Sequence, residues 1–232
     1  MRRRTERLLM IMMVSASSLL LMAADWPQFR GPTSAGVSDE KGLPTTWDRS
    51  EKNILWKTPL PGFGASSPIV QDGRIYLTCY SGYGYDEEAP GDIESLEQYI
   101  VSYNLEDGSL IFDLPLKAQQ PEKPYHGIQA LHGYSSGTPA TDGKHLFAFF
   151  GMSGVGAITL SGEALWHQSV GTGTHSHGSG SSPTLHKNLV IVNATVEYGA
   201  LVALDKQSGQ GVWRAEEVKN AWKTKLSFST VN

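Results

Sequence analysis

The sequence predicts an all-β fold: a β-propeller of four-stranded antiparallel blades, a partial ring of about three complete blades plus flanking strands. Three observations carry this expectation. The 232 residues include 25 glycines and 12 prolines, a composition that suits short strands joined by tight turns. One segment type recurs as Ser66-Ser67-Pro68-Ile69-Val70, Gly137-Thr138-Pro139-Ala140-Thr141 and Ser181-Ser182-Pro183-Thr184-Leu185. A turn follows each copy, at Asp72-Gly73, Asp142-Gly143 or Lys187-Asn188, and then a second apolar run. Asp-Gly supplies the positive φ angles of a two-residue hairpin. A second segment type alternates with the first: Ile100 to Phe112, Ala157 to Trp166 and Leu201 to Trp213. Its turns carry Asn104 or Asp205 and the glycines Gly108, Gly162 and Gly209, residues that close a turn by side-chain hydrogen bonding or left-handed backbone.

Taken in order, the chain begins with Arg2, Arg3, Arg4 and Arg7, then the apolar run Leu8 to Met22, then Ala23-Ala24 before Asp25. A charged head, a short apolar run and small residues describe a secretory leader over residues 1–24. The run is shorter than the ~20 residues a spanning helix needs, so no membrane span is expected after cleavage. An extracytoplasmic location, periplasmic or secreted, follows. Removing four arginines and Glu6 takes the net charge from −4 to −7, which argues against nucleic acid as a partner. Residues 25–52 form an irregular N-terminal segment, and residues 53–232 hold the repeats.

Within the repeats, 53–60 reads as an outermost strand. Blades follow at about 66–116, 137–170 and 181–218, and a fourth begins at 228. Two alternating hairpins per period make a four-stranded unit, whose faces must be covered by its neighbours. The closing aromatics, Trp56, Phe112, Trp166 and Trp213, are expected to fill the wedge between blades. Rings close with about four to eight blades, so a truncated product is expected, monomeric as a ring when full length.

Few residues suggest chemistry. His132 precedes Pro139 by seven residues and His177 precedes Pro183 by six, which puts both in equivalent loops entering innermost strands. With His126 and His175 they form a candidate metal-binding cluster at the channel mouth, since imidazole is a common transition-metal ligand. The plainer reading is histidines bonded to loop carbonyls. Gly133-Tyr134-Ser135-Ser136-Gly137 has the spacing of a nucleophile elbow but precedes a strand where that motif needs a helix. Gly137 to Lys144 fails as a phosphate loop, having five residues between its glycines and His145 in place of Ser or Thr. Asn193-Ala194-Thr195 matches a glycosylation acceptor inside an expected strand. Insertions fall at 81–97 and 118–133; the first carries six carboxylates and no basic residue. It reads as a solvated loop or a calcium loop, with Tyr80, Tyr83 and Tyr85 beside it as a contact surface.

The Ala203-Leu204-Asp205 to Gly209 to Trp213 pattern, the Ser-Ser-Pro strands and the entry Asp25-Trp26-Pro27-Gln28-Phe29-Arg30-Gly31-Pro32 resemble the PQQ-like β-propeller repeat proteins, relatives of the quinoprotein dehydrogenases. The resemblance covers about residues 25–232. It implies the fold, and for the dehydrogenase members a quinone cofactor beside a vicinal disulfide and a calcium ion. Cys79 is the sole cysteine, so that disulfide cannot form, and the resemblance places neither PQQ nor a divalent metal on named residues. The expected function is an exported scaffold that binds a protein, polysaccharide or small ligand through its loops, without a catalytic residue. The alternatives are a fragment of a quinone- or metal-dependent oxidoreductase and a scaffold similar to the propeller lipoproteins that help assemble outer-membrane barrels.

Overall fold

The structure, a computed structural model, describes residues 25–47, 52–86, 88–118, 121–124, 133–174 and 178–216. The expected leader (1–24) and the strand expected at 228 lie outside these residues. Among the described residues, twelve strands form three four-stranded antiparallel sheets, each in chain order. The first blade holds β1 (Ile69–Gln71), β2 (Arg74–Ser81), β3 (Glu97–Asn104) and β4 (Leu110–Leu116). The second holds β5 (Ala140–Thr141), β6 (His145–Phe149), β7 (Val155–Thr159) and β8 (Ala164–Gln168). The third holds β9 (Thr184–His186), β10 (Leu189–Ala194), β11 (Ala200–Asp205) and β12 (Gly211–Glu216).

The turn chemistry read from the sequence produces these hairpins. Asp72 and Gly73 both take positive φ, 51° and 70°, as the tightest hairpin turn requires. The Asn104 side chain accepts from the Glu106 amide at 2.8 Å, and Asp205 accepts from the amides of Gln207 and Ser208 at 3.0 and 2.9 Å. The amides of Gly108 and Gly209 then close each turn onto the carbonyls of Asn104 and Asp205.

Side-chain alternation stacks the blades. Leu146, Ala148 and Phe150 join Ile69, Tyr76 and Ile100 of the first blade in one buried cluster. Phe147 and Phe149 point the other way, into a cluster with Val190, Val192 and Val202 of the third. The run Leu146-Phe147-Ala148-Phe149-Phe150 is continuously apolar because both faces of its strand are buried.

Trp56, Phe112 and Trp166 each dock on the next blade. The Trp56 indole donates to the Leu105 carbonyl at 3.0 Å, and the Trp166 indole to the Lys206 carbonyl at 2.9 Å. A Cβ on Gly108 would stand 2.4 Å from the Trp56 ring, one on Gly162 3.0 Å from Phe112, and one on Gly209 2.6 Å from Trp166. The turn glycines therefore serve twice, through positive φ and as bare floors for the rings. A β-bulge lies at the same place in every blade, after Ser102, Ala157 and Ala203, which pair with Phe112, Trp166 and Trp213. Bulges re-aim side chains, and these sit where the aromatic must reach its neighbour. Trp213 is 38% exposed among the described residues.

A hydroxyl relay links the innermost strands. The Ser67 amide donates to Thr138 Oγ1 at 2.9 Å, and the Thr138 amide donates to Ser182 Oγ at 3.0 Å. All three residues precede the repeated proline, so one hydroxyl per blade satisfies the amide of the blade before it. Ser182→Ala would leave the buried Thr138 amide without its acceptor. A loss of about 1–2 kcal/mol is expected, measurable as a lower urea midpoint.

The N-terminal segment is tied to the innermost edges. Trp26 exchanges two backbone hydrogen bonds with Val70, at 2.8 and 3.0 Å, and the Thr141 amide donates to the Pro27 carbonyl at 2.8 Å. Asp25 accepts from Gln71 Nε2 and from the Asp72 amide, at 2.8 and 3.0 Å. A stretch with no regular structure thus bridges the first two blades.

Candidate functional site

The hairpin turns of all three blades share one end of the assembly, the turn face. The β2–β3, β6–β7 and β10–β11 loops and the connections between blades share the other, the loop face. His126, His132, His175 and His177 all lie outside the described residues. Among the described residues, no group of three His, Cys, Asp or Glu side chains is arranged to hold a metal.

The described part of the loop face gathers two carboxyl groups that sequence reasoning missed. Glu122 follows β4 in the 118–133 insertion, and Glu197 sits in the β10–β11 loop. Glu197 is only 5% exposed, and its carbonyl accepts from the amides of Thr172 and Gly173 at 3.1 and 2.8 Å. Its side chain packs over Gly151, where a Cβ would stand 3.2 Å from Glu197 Oε1 and 3.1 Å from Ser179 Cβ. Burial pushes the Glu197 carboxyl up to about 7; the Ser179 hydroxyl opposes this, and the negative charge of Glu122 adds to it. Burial also raises Glu122, against the stabilising Ser153 hydroxyl, which donates to Glu122 Oε1. On β8, burial lowers the pKa of His167, although the Ser153 and Lys117 carbonyls pull the other way.

Glu122 also lines a cavity of about 630 Å³ at this face. Ile93, Leu96, Pro115 and Leu116 supply apolar wall, and Gln98 and Lys117 supply polar wall. A short 3-10 helix, Ile93–Ser95, capped by the Asp92 carboxylate on the Glu94 amide, forms one side. Gln98 donates Nε2 to the Tyr134 carbonyl at 2.9 Å, which fixes its amide orientation and leaves Oε1 with no partner. Glu122 Oε2 and Glu197 Oε2 are buried and unpartnered as well. The volume suits a small-molecule or side-chain site; Glu94 and Glu97 add carboxyls to its lining, whereas Glu197 is not among the lining residues.

The other sequence expectations resolve locally. Ser135, in the run with nucleophile-elbow spacing, is fully buried ahead of β5, where no base reaches it among the described contacts. Asn193 is buried on β10, which removes it as a glycosylation acceptor. In the acidic insertion, Asp86 accepts from the amides of Glu88 and Ala89, and Glu97 bonds the Tyr99 hydroxyl, so these groups hold the loop's own backbone and strand. Tyr80 and Tyr83 are buried against Tyr134; only Tyr85 of that expected contact surface is exposed, stacked on Phe63 at 4.8 Å.

The cofactor of the quinoprotein dehydrogenases does not fit this chain. Its disulfide would need a second cysteine, and Cys79 is buried with Val101 and Tyr103 on the blade's outer face, where burial and the Asp113 charge push its thiol up to about 11. Calcium takes six to eight oxygens, and although Glu94, Glu97 and Glu122 line the cavity, no three carboxyls among the described residues are grouped to hold a metal.

Comparison with known proteins supports the fold directly. A PQQ-like repeat family described as "Outer membrane protein assembly factor BamB" matches residues 93–229. No curated protein matches the chain significantly. Among solved structures, quinohemoprotein alcohol dehydrogenase from Comamonas testosteroni aligns with TM-score 0.52 at 16% identity, over 82% of this chain and 27% of its own. BamB from Moraxella catarrhalis aligns with TM-score 0.46 at 11% identity, over 70% and 39%. Quinohemoprotein alcohol dehydrogenase ADHIIG from Pseudomonas putida HK5 aligns with TM-score 0.45 at 18% identity, over 69% and 22%. The chain therefore spans well under half the length of each. Among the described residues no helix is long and apolar enough to cross a membrane.

Proposed function

Since the chain belongs to the PQQ-like repeat family described as outer membrane protein assembly factor BamB, we propose that it is an exported binding scaffold whose loop face seats a cationic side chain of a partner polypeptide. Export rests on the basic head, apolar run and small residues of 1–24. N-terminal sequencing of the exported protein should give Asp25 as the first residue.

One observation carries the binding reading: a cavity of about 630 Å³ whose lining sets the carboxyls of Glu94, Glu97 and Glu122 against a single cation, Lys117. An ammonium or guanidinium group brings donors alone, and the apolar wall of Ile93, Leu96 and Leu116 suits the aliphatic stem that carries it. A partner's Lys or Arg would pair with these lining carboxyls, while its neighbours cover the rim. The family description, an outer membrane protein assembly factor, agrees with a scaffold that binds polypeptide.

The test uses a fluorescein-labelled, end-blocked peptide of sequence LKLRL, with LELEL as control. Saturable binding in the range of about 10–100 μM at pH 8 is expected for the basic peptide alone. Glu122→Gln should weaken it by about tenfold, a loss of roughly 1.4 kcal/mol. Equal binding of both peptides, or no change in the variant, would overturn the reading.

A further inference from the structure

On the turn face, the seam between the first two blades holds a second cleft, of about 390 Å³. It lies across the molecule from the carboxyl-lined cavity, and its chemistry is opposite. Arg74, at the start of β2, reaches over the seam and donates Nη1 to the Leu160 carbonyl at 3.0 Å. The buried Tyr76 hydroxyl donates to the same carbonyl at 3.2 Å. The guanidinium is thus anchored at the cleft wall by the Leu160 carbonyl and the Tyr76 hydroxyl, with N–H donors to spare. Lys144, from the β5–β6 turn, lines the cleft, is exposed and makes no ion pair among the described residues.

Two hydroxyls complete the wall. Thr159 Oγ1 and Ser161 Oγ stand 2.8 Å apart and share one hydrogen bond. Thr159 Oγ1 also accepts from the Glu163 amide at 3.0 Å. Whichever hydroxyl donates within the pair, the other keeps its proton to offer a ligand. Asp72 supplies the single carboxylate of the lining, so two cations face one anion. Asp142, beside Lys144 in sequence, is already engaged by Lys206 at 3.4 Å and His145 at 3.6 Å.

We propose that this cleft is an oxyanion-binding site, which takes a phosphate or sulfate group between the Arg74 guanidinium and the Lys144 ammonium, with one hydroxyl donor from Thr159 or Ser161. A fixed planar fork beside a mobile point charge is a fitting pair for a multivalent oxyanion. The site is a locally positive spot on a chain whose net charge is −4, which favours a specific bound group over a general polyanion surface.

The test is calorimetric titration of the intact protein with sodium sulfate and with inorganic phosphate, at ionic strength held constant with sodium chloride. Saturable millimolar binding at one site is expected. Lys144→Gln should weaken it about fivefold or more, and its exposed position makes a folding defect unexpected. Arg74→Gln should abolish it, with thermal unfolding followed in parallel because Arg74 also bridges the blades. Dextran sulfate set against uncharged dextran distinguishes the source of the group. Tighter binding per sulfate than the free ion marks a polymer-borne group, and equal binding marks a free anion. Heats no different from sodium chloride, or an affinity unchanged in Lys144→Gln, would overturn the proposal.

Discussion

Trp166→Ala is expected to destabilise the protein by about 3 kcal/mol or more, the low end for removing a large aromatic from a packed site. Its ring is half-buried between the second and third blades, packs 6.0 Å from Phe147, and donates to the Lys206 carbonyl. Its floor is Gly209, at φ 71° with the ring 2.6 Å from the position of an added Cβ. Gly209→Ala alone should cost about 2 kcal/mol or more, combining left-handed strain of roughly 1 kcal/mol with overpacking. In the Trp166→Ala background the clash is gone, so the same substitution should cost only the backbone part. Urea unfolding of the two single variants and the double variant measures this coupling. Gly211→Ala, with nothing within 4 Å and no positive φ, is the neutral control. Simple additivity of the two substitutions would refute the docking account.

The second large effect is electrostatic. Glu197 is held at about 7 in the fold, against an ordinary 4.5. Between these values the folded state keeps a proton that the unfolded chain has released, so stability falls as pH rises from about 4.5 to about 7 and levels off above. A displacement of this size corresponds to roughly 3 kcal/mol. Glu122, also raised, acts in the same direction. His167 acts in the opposite one: its lowered pKa removes stability as pH falls through its ordinary 6.5. Comparing Glu197→Gln with the parent isolates the Glu197 contribution. The variant should match the parent near pH 5 and exceed it by about 2–3 kcal/mol at pH 8, read from urea midpoints. A variant less stable at both values would mean that the carboxyl has a partner which glutamine cannot replace.

The repeats were legible because each obeys local rules. Asp72-Gly73 makes a hairpin wherever it stands between apolar runs, and the Asn104 and Asp205 turns close on hydrogen bonds made within a few residues. The wedge-filling role of Trp56, Phe112 and Trp166 followed from their period, and the glycine floors confirm it. The carboxyl pair was not legible. Glu122 sits in an insertion outside the period, and Glu197 resembles any polar loop residue. The burial that shifts its pKa comes with packing over Gly151, distant in the chain. The histidine cluster lies outside the described residues. The tyrosines beside the acidic insertion misled. Nothing in their spacing says that Tyr80 and Tyr83 turn inward onto Tyr134 while Tyr85 stays out.

By itself the sequence determined the strand-and-turn alphabet, the blade period and the aromatic at each blade's outer strand. These depend on backbone preferences and side-chain alternation over fewer than a dozen residues. Tertiary structure alone decided which polar groups lost water. Stacking the blades buried Glu197 and Gln98 Oε1 at one end and brought Arg74 across to the Leu160 carbonyl at the other. Desolvation and charge proximity depend on through-space distance, which a linear order of residues does not contain.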